Sequence, residues 1–431
     1  DIMPLIASKA DILWAINEFF GKVEEEKVQG KEAGALSPEA GARVVDFVNQ
    51  MFNTAIAERA SDIHLEIYGK RASLRYRIDG VLFDRTAPSN DLFVAVVNRI
   101  KVLAKLDVTE KRLPQDGAAV LNIGTRAVNL RVGTCPTIFG ENVVLRVLDK
   151  GSVSLDIDKL GLEERQKNDF LAGMARPHGL IFLTGPTGCG KTTTIYTLLN
   201  RIRSPEIKII TAEDPVEYQL DGVNQVQVHA GGLTFSSAMR TFLRQDPDVI
   251  MLGEVRAAET AEACLRAAMT GHLVLTTLHT NSALDAVPRL INLGVEPFML
   301  ASTICLTATQ RLVRVLCVHC RIGYKPDPAL LEHVLQGAAL RQPPDTADGM
   351  FYKAGTCAQC ARTGYLGRQA IHEVFLFNEE MTRIIYKNEA DLPTLRAAAQ
   401  KAGMLGLRAS GWRKVLSGST SVEEVLAATV A

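Results

Sequence analysis

Gly185-Pro-Thr-Gly-Cys-Gly-Lys-Thr-Thr-Thr194 follows the apolar run Leu180-Ile-Phe-Leu183 and precedes Ile195-Tyr-Thr-Leu-Leu199. The pattern reads strand, tight loop, helix. Gly185, Gly188 and Gly190 open backbone torsions that side chains close, so successive N–H groups can turn inward around a polyphosphate at a helix N-terminus. In this G-x-x-x-x-G-K-T arrangement Lys191 meets the β- and γ-phosphates and the Thr192 hydroxyl ligates Mg²⁺, with Pro186, Thr187, Cys189 and Thr193 completing the cradle. A glycine-rich turn without a ligand is the bland alternative, but the complete pattern stands between the strand and the helix that the chemistry needs. The stretch therefore predicts a nucleoside triphosphate site in an α/β fold.

Outward from the loop, residues 151–315 repeat strand then helix, as in a parallel sheet covered by helices. Buried strands are expected at Lys208–Ala212, Asp248–Leu252 and Leu273–Thr277, each followed by polar residues. Ligands of open parallel sheets collect at the carboxyl ends of strands, which nominates Glu213, Asp214, Glu217, Glu254 and His279. Glu254, directly after an apolar strand, is the choice for orienting an attacking water; Glu213 is its rival. Arg240 and Arg244, four apart on an expected helix, share a face and could approach a phosphate together.

Residues 38–150 read as a small α+β domain. A helix carrying Val44, Phe47, Val48, Met51 and Phe52 leads to Ala60–Glu66 and then to Arg71–Gly80, whose alternation puts Leu74, Tyr76 and Ile78 on one face and Arg75, Arg77 and Asp79 on the other. The arginines are either a solvated face or a phosphate clamp. A further helix is expected near 91–106. Residues 1–37 read as the end of an upstream domain, amphipathic over Ala10–Phe20, followed by a polar, glycine-containing linker.

Cys317-Val-His-Cys320 and Cys357-Ala-Gln-Cys360 flank the 36 residues 321–356. Two such knuckles suit a closed tetrahedral Zn²⁺ site over 316–376; two redox-active pairs are the alternative. The intervening loop, rich in Pro and polar groups, is expected to have little core of its own. Residues 377–431 read as short helices broken near Gly403 and Gly406. The composition of the 431 residues, 47% hydrophobic and 22% charged, suits several folded domains. With 48 basic against 48 acidic residues and no basic run, nucleic-acid binding is disfavoured, and no apolar run is long enough to cross a bilayer.

The segments SDIHLE, RYRIDG, KRLPQDG, GENVVLRVLDK, GPTGCGKTTT, AEDPVEYQ, LRQDPDVIMLGEVR, TGHLVLTTLHTN and, after the cysteines, TGYLGRQAIHEV together resemble the secretion ATPases that drive type II secretion and type IV pilus assembly. The resemblance covers nearly the whole chain. It implies a RecA-like motor fed by a PAS-like α+β domain, assembled as a homo-hexamer at the cytoplasmic face of the inner membrane through a platform protein, using ATP, Mg²⁺ and Zn²⁺. It also carries over residue roles. Lys191 and Thr192 become phosphate and Mg²⁺ contacts, Glu213 and Glu254 acids, Arg240 and Arg244 phosphate sensors, and His272 and His279 sensors of nucleotide state. Arg75, Arg77 and, as a further candidate, Arg99 reach nucleotide from the first domain. The tetracysteine belongs to the assembly branch, away from pilus retraction. Ala257 stands where the family has Asp after GEIR, and Cys189 where it has a small residue. Ala257 keeps a nucleotide-binding scaffold without turnover in view, beside a nucleic-acid translocase.

Overall fold

The computed structural model describes residues 38–69, 71–123, 126–148, 155–229, 231–340 and 349–429. The expected amphipathic stretch Ala10–Phe20, the linker over 21–37 and the connection at Gly151 lie outside them. Among the described residues no helix is long and apolar enough to cross a membrane.

The chain opens with α1 (Pro38–Ala57) and the strands β1 (Ala60–Tyr68), β2 (Arg71–Ile78) and β3 (Val81–Arg85). Next come α2 (Asn90–Leu103), β4 (Gln115–Ile123), β5 (Arg126–Thr137) and β6 (Gly140–Leu148). The strands form one six-stranded antiparallel sheet in the order β3-β2-β1-β6-β5-β4. Alternation sorts its faces. Tyr76, Ile63, Leu145 and Val132 join Val48 and Met51 of α1 and Phe93 and Ile100 of α2 in one buried cluster, each large side chain contributing about 1.5–3 kcal/mol by leaving water. Asp79 (φ 48°) and Gly80 (φ 91°) form the β2–β3 turn, the Asp-Gly pair that a tight hairpin with positive φ at both positions favours. On the opposite face the register aligns Arg77, Asp62, Arg146 and Arg131 in one row across four strands. Lys101 is fully buried on α2, where it pairs with Glu141 and donates to the Glu110 carbonyl at 2.7 Å.

The second sheet has seven strands. A 3-10 turn (Ile157–Lys159) and α3 (Glu164–Met174) lead to β7 (Gly179–Thr184), α4 (Lys191–Ile202), β8 (Ile209–Glu213), β9 (Asn224–Gln227) and α5 (Phe235–Phe242). Then follow β10 (Val249–Leu252), α6 (Ala258–Met269), β11 (Leu273–Leu278), α7 (Ala286–Asn292), α8 (Pro297–Thr303) and β12 (Ile304–Leu316). The order is β15-β12-β7-β11-β10-β8-β9, parallel throughout except for β15 at the edge. β7, β8, β10 and β11 are buried on both faces, as a helix-covered parallel sheet requires.

Beyond β12 the first cysteine pair leads to β13 (Ile322–Tyr324), α9 (Pro328–Gly337), β14 (Phe351–Lys353) and β15 (Tyr365–Leu376). The segment between the cysteine pairs differs from the expectation of a core-poor loop. α9 buries Val334 beside Phe351, Trp412 and Val415, so this segment shares a core with α12 (Leu407–Leu416) and α13 (Val422–Thr429). β15 pairs with β12 over nearly its whole length, making it part of the main sheet. Its Glu373 accepts from the N–H of Ala283 (2.9 Å) and of Leu407 (3.3 Å). Beside it His372 is fully buried, and burial lowers its pKa to about 3. α10 (Glu379–Tyr386) and α11 (Leu392–Lys401) pack on the far side of the sheet.

Candidate nucleotide site and metal centre

Gly185 follows β7 with φ 138°, and a Cβ built there would lie 2.7 Å from Cys189 Sγ and 2.9 Å from the Gln310 carbonyl oxygen. Gly190, the N-cap of α4, has φ 92° and leaves 3.0 Å between such a Cβ and Gln310 Nε2. Torsion disfavours a side chain at both positions, and at Gly185 the Gln310 backbone leaves no space for one either. Gln310 of β12, itself buried, closes the back of the loop. Its Nε2 donates to the Cys189 carbonyl at 2.6 Å, and its Oε1 accepts from the Thr194 hydroxyl at 2.8 Å. Lys191 Nζ donates to the carbonyls of Gly185 (2.7 Å) and Pro186 (3.0 Å). Burial lowers the Lys191 pKa below the usual lysine value, opposed by Cys189 and Glu254. Thr187 and Gly188 form the exposed crown of the loop, while Cys189 is buried and Thr193 lies in the first turn of α4.

Facing the start of α4 is a cleft lined by Thr192, Glu213, Asp214, Glu217, Glu254 and Thr277. The two rival glutamates differ in their surroundings. Glu213 is 3% exposed; its Oε1 accepts from Thr211 (2.5 Å) and Gln225 (3.1 Å), and its Oε2 from the Tyr196 hydroxyl. Burial raises the Tyr196 pKa well above its usual value, and the Glu213 bond adds to the shift. Glu254 lies two residues past β10, pairing with Arg256 at 2.5 Å and with His279 Nε2 at 3.4 Å. Thr277 donates to the Gly253 carbonyl at 2.7 Å, fixing the backbone that carries Glu254. Both of Glu254's partners are largely exposed side chains that can move aside, whereas of those of Glu213 Tyr196 and Thr211 are fully buried and Gln225 is half-buried.

Other nominated residues fall elsewhere. Arg240 is exposed on α5 and pairs with Glu259 of α6 at 3.0 Å. Arg244 lies two residues past the end of α5, exposed in the turn that continues it. His272 precedes β11 and His279 follows it, so the two stand at opposite ends of a six-residue strand, about 20 Å apart. His272 Nδ1 meets the Ala267 carbonyl at 2.9 Å, at the end of α6. Arg75 is held by Glu66 and the Tyr68 hydroxyl, and Arg77 Nε lies 3.6 Å from Asp62. Arg99 is half-buried on α2, in the helical layer on the other side of the sheet. The first-domain arginine that touches the cleft is one the alternation did not single out: Arg131 of β5, 3.4 Å from Glu217. Ala257 is the N-cap of α6 and provides no side-chain cap. Gln310, Arg311, Tyr196 and Gln225 belong to no phosphate-binding motif, although Gln and Arg inside a largely apolar strand are a visible irregularity.

Cys317, Cys320, Cys357 and Cys360 bring their sulfurs within 4.8 Å of one another. The shorter separations, 3.6, 3.7 and 3.8 Å, match the edge of about 3.8 Å that a tetrahedron of thiolates has around Zn²⁺ at about 2.3 Å. The donor set fits zinc. No disulfide joins them.

Residues 38–427 match the family model described as "Type II/IV secretion system protein". The chain belongs to this family. It is 45% identical over 395 residues to the type II secretion system protein E of Klebsiella pneumoniae, covering 91% of this chain and 77% of that protein. With the type IV pilus assembly ATPase PilB of Myxococcus xanthus it shares 45% over 392 residues, covering 90% and 68%. Among solved structures it is similar to the pilus retraction motor PilT with bound ADP (TM-score 0.58, 25% identity, 89% and 96% covered). In fold it is also similar to the Legionella pneumophila ATPase DotB (TM-score 0.64, 22% identity, 88% and 94% covered). Membership of this family of secretion ATPases, with the phosphate loop in place, makes the chain an ATP-hydrolysing enzyme.

Proposed function

We propose that the chain is a Mg²⁺-dependent motor ATPase whose turnover powers assembly of a pilus or secretion pseudopilus, with Glu254 orienting the attacking water. The observation that carries this reading is the contrast at the cleft. Glu254 faces Thr192 with partners that can be displaced, while Glu213 is held by Tyr196, Thr211 and Gln225. Thr192 would hold Mg²⁺, which when bound neutralises phosphate charge. Lys191 binds the phosphates, His279 and Arg256 hold Glu254 before substrate arrives, and Arg131 and Glu217 join the first domain to the cleft. Two relatives named for type II secretion and type IV pilus assembly support the transport role. A homo-hexamer acting in the cytoplasm on an inner-membrane platform protein, with zinc on the four cysteines, completes the proposal. It is tested by steady-state phosphate release with and without Mg²⁺, run alongside light scattering with ATP present. Mg²⁺-dependent turnover by a particle of six chains is expected, and ATP binding without turnover would overturn it.

A further inference from the structure

β12 runs parallel to β7 with Thr309 opposite Thr184, which brings the next two residues level with Gly185 at the carboxyl edge of the sheet. Gln310 braces the loop. Arg311, half-buried, extends its guanidinium along it: Nη1 lies 3.3 Å from the Cβ position of Gly185 and donates to the Gln310 carbonyl at 3.1 Å. Nη2 reaches the Asn281 carbonyl (3.4 Å) and Oδ1 (3.3 Å) in the loop after His279. These contacts are long and all to neutral oxygens. Arg131, Arg240 and Arg256 each pair with a carboxylate. Arg311 pairs with none within 4.0 Å among the described residues. A half-buried cation beside a phosphate loop, steadied by carbonyls and carrying unmatched charge, is suited to an anion that arrives with the ligand.

We propose that Arg311 donates to phosphate oxygens of the bound nucleotide from the β12 side of the loop, with Asn281 positioning its guanidinium. Glu254 lies beyond β11 on the other flank of β7, so the polyphosphate is gripped from one side and attacked from the other. Arg311 also contributes to lowering the Lys191 pKa, which places the two cations in one field. The inference rests on reading Gly185–Thr192 as the phosphate cradle, and Lys191→Ala is the arm that tests that reading separately.

The experiment is equilibrium binding of ATP and ADP to the full chain carrying Arg311→Ala, Arg311→Lys or Asn281→Ala, with thermal unfolding as the check on fold. Arg311→Ala should weaken both nucleotides about tenfold, the scale of one lost charge-assisted hydrogen bond. Arg311→Lys should recover part of the loss, and Asn281→Ala should lose less than Arg311→Ala. Affinities within twofold of wild type in Arg311→Ala, while Lys191→Ala binds poorly, would overturn the inference and leave the cradle standing. Normal binding by Lys191→Ala would instead overturn the cradle itself. If Arg311→Ala does not fold, Arg311→Gln, which keeps length and a donor to Asn281, is read by the same criteria.

Discussion

The hydroxyl of Tyr196 donates to Oε2 of Glu213, joining the helix that follows the phosphate loop to the end of β8. With Thr211 and Gln225 on the other oxygen, the carboxylate is committed to protein donors, and its neighbour Glu254 is left to meet solvent and substrate. Glu254→Gln should therefore bind nucleotide within a few-fold of wild type and turn over about a hundredfold more slowly or worse, the cost of a positioned acid–base group. Glu213→Gln and Tyr196→Phe should each lose about tenfold or less. Phosphate release checks all three, and a dead Glu213→Gln beside an active Glu254→Gln would exchange the roles.

Arg131 is already beside Glu217, whereas Arg75 and Arg77 are engaged within their own sheet. Arg131→Ala should slow hydrolysis at least about tenfold with smaller change in nucleotide affinity, as for a cation acting on departing phosphate. The losses should rank Arg131, then Arg77, then Arg75. Equal turnover of wild type and Arg131→Ala at saturating ATP would reduce the Glu217 pair to a surface contact.

Ala257 caps α6 in an extended conformation (φ −123°, ψ 154°) without a side-chain acceptor. Ala257→Asp should stabilise the chain by about 0.5–2 kcal/mol by meeting N–H groups of the first turn. The gain is read as a raised unfolding midpoint in urea. No gain would mean that the loop from Glu254 keeps the new carboxylate away from the helix.

Four cysteines should hold one zinc per chain, released by Cys357→Ser, as elemental analysis would report. Because α9 and Phe351 pack on Trp412, stripping the metal should also change Trp412 emission in a Trp14→Phe background. Unchanged emission after complete zinc loss would uncouple the metal arm from the C-terminal helices.

His372 is buried with its pKa lowered to about 3, by burial and then by Lys414. The unfolded chain binds its proton more readily, so its contribution is intact above about pH 6.5. As pH falls below that value it is lost at up to about 1.4 kcal/mol per unit. Adjacent Glu373, its pKa raised by burial, acts in the opposite sense by favouring the folded state as it protonates. His372→Leu should therefore lose less stability than wild type between pH 6.5 and 5, measured by urea unfolding. Parallel pH profiles would contradict this.

The phosphate loop was legible because its determinants lie in ten contiguous residues, and the cysteine cluster because thiolate spacing is itself the chemistry. Gln225 became a partner of Glu213 only through strand order, since β9 is added beside β8, and Tyr196 only through the packing of α4 against that strand; no local pattern encodes either. Arg131 and Arg77 lie on the same sheet face, and the docking of the first domain against Glu217 separated them. Spacing assigns Arg240 to a phosphate, and its pairing with Glu259 comes from the packing of α5 on α6, which no local pattern encodes. His272 and His279 are close in the sequence, but the extended strand between them sets them apart, and it is His279 that reaches Glu254.

β12 carries Gln310 and Arg311 at the phosphate loop and ends at Leu316, next to Cys317. About 20 Å of one strand thus lies between the phosphate loop and the first cysteine pair, interrupted in its register with β15 between Arg314 and Leu316. Such a rod tolerates changes of side chain far better than changes of length. One residue inserted between Leu312 and Arg314, ahead of that irregularity, would reverse the inward and outward positions that follow it and point the first knuckle away from Cys357 and Cys360, while two would restore the facing at the expense of a shift along β15. A change of length in this part of the molecule should therefore be tolerated best in the turns between the cysteine pairs, outside the β12–β15 ladder and outside the core that Val334 and Phe351 share with Trp412.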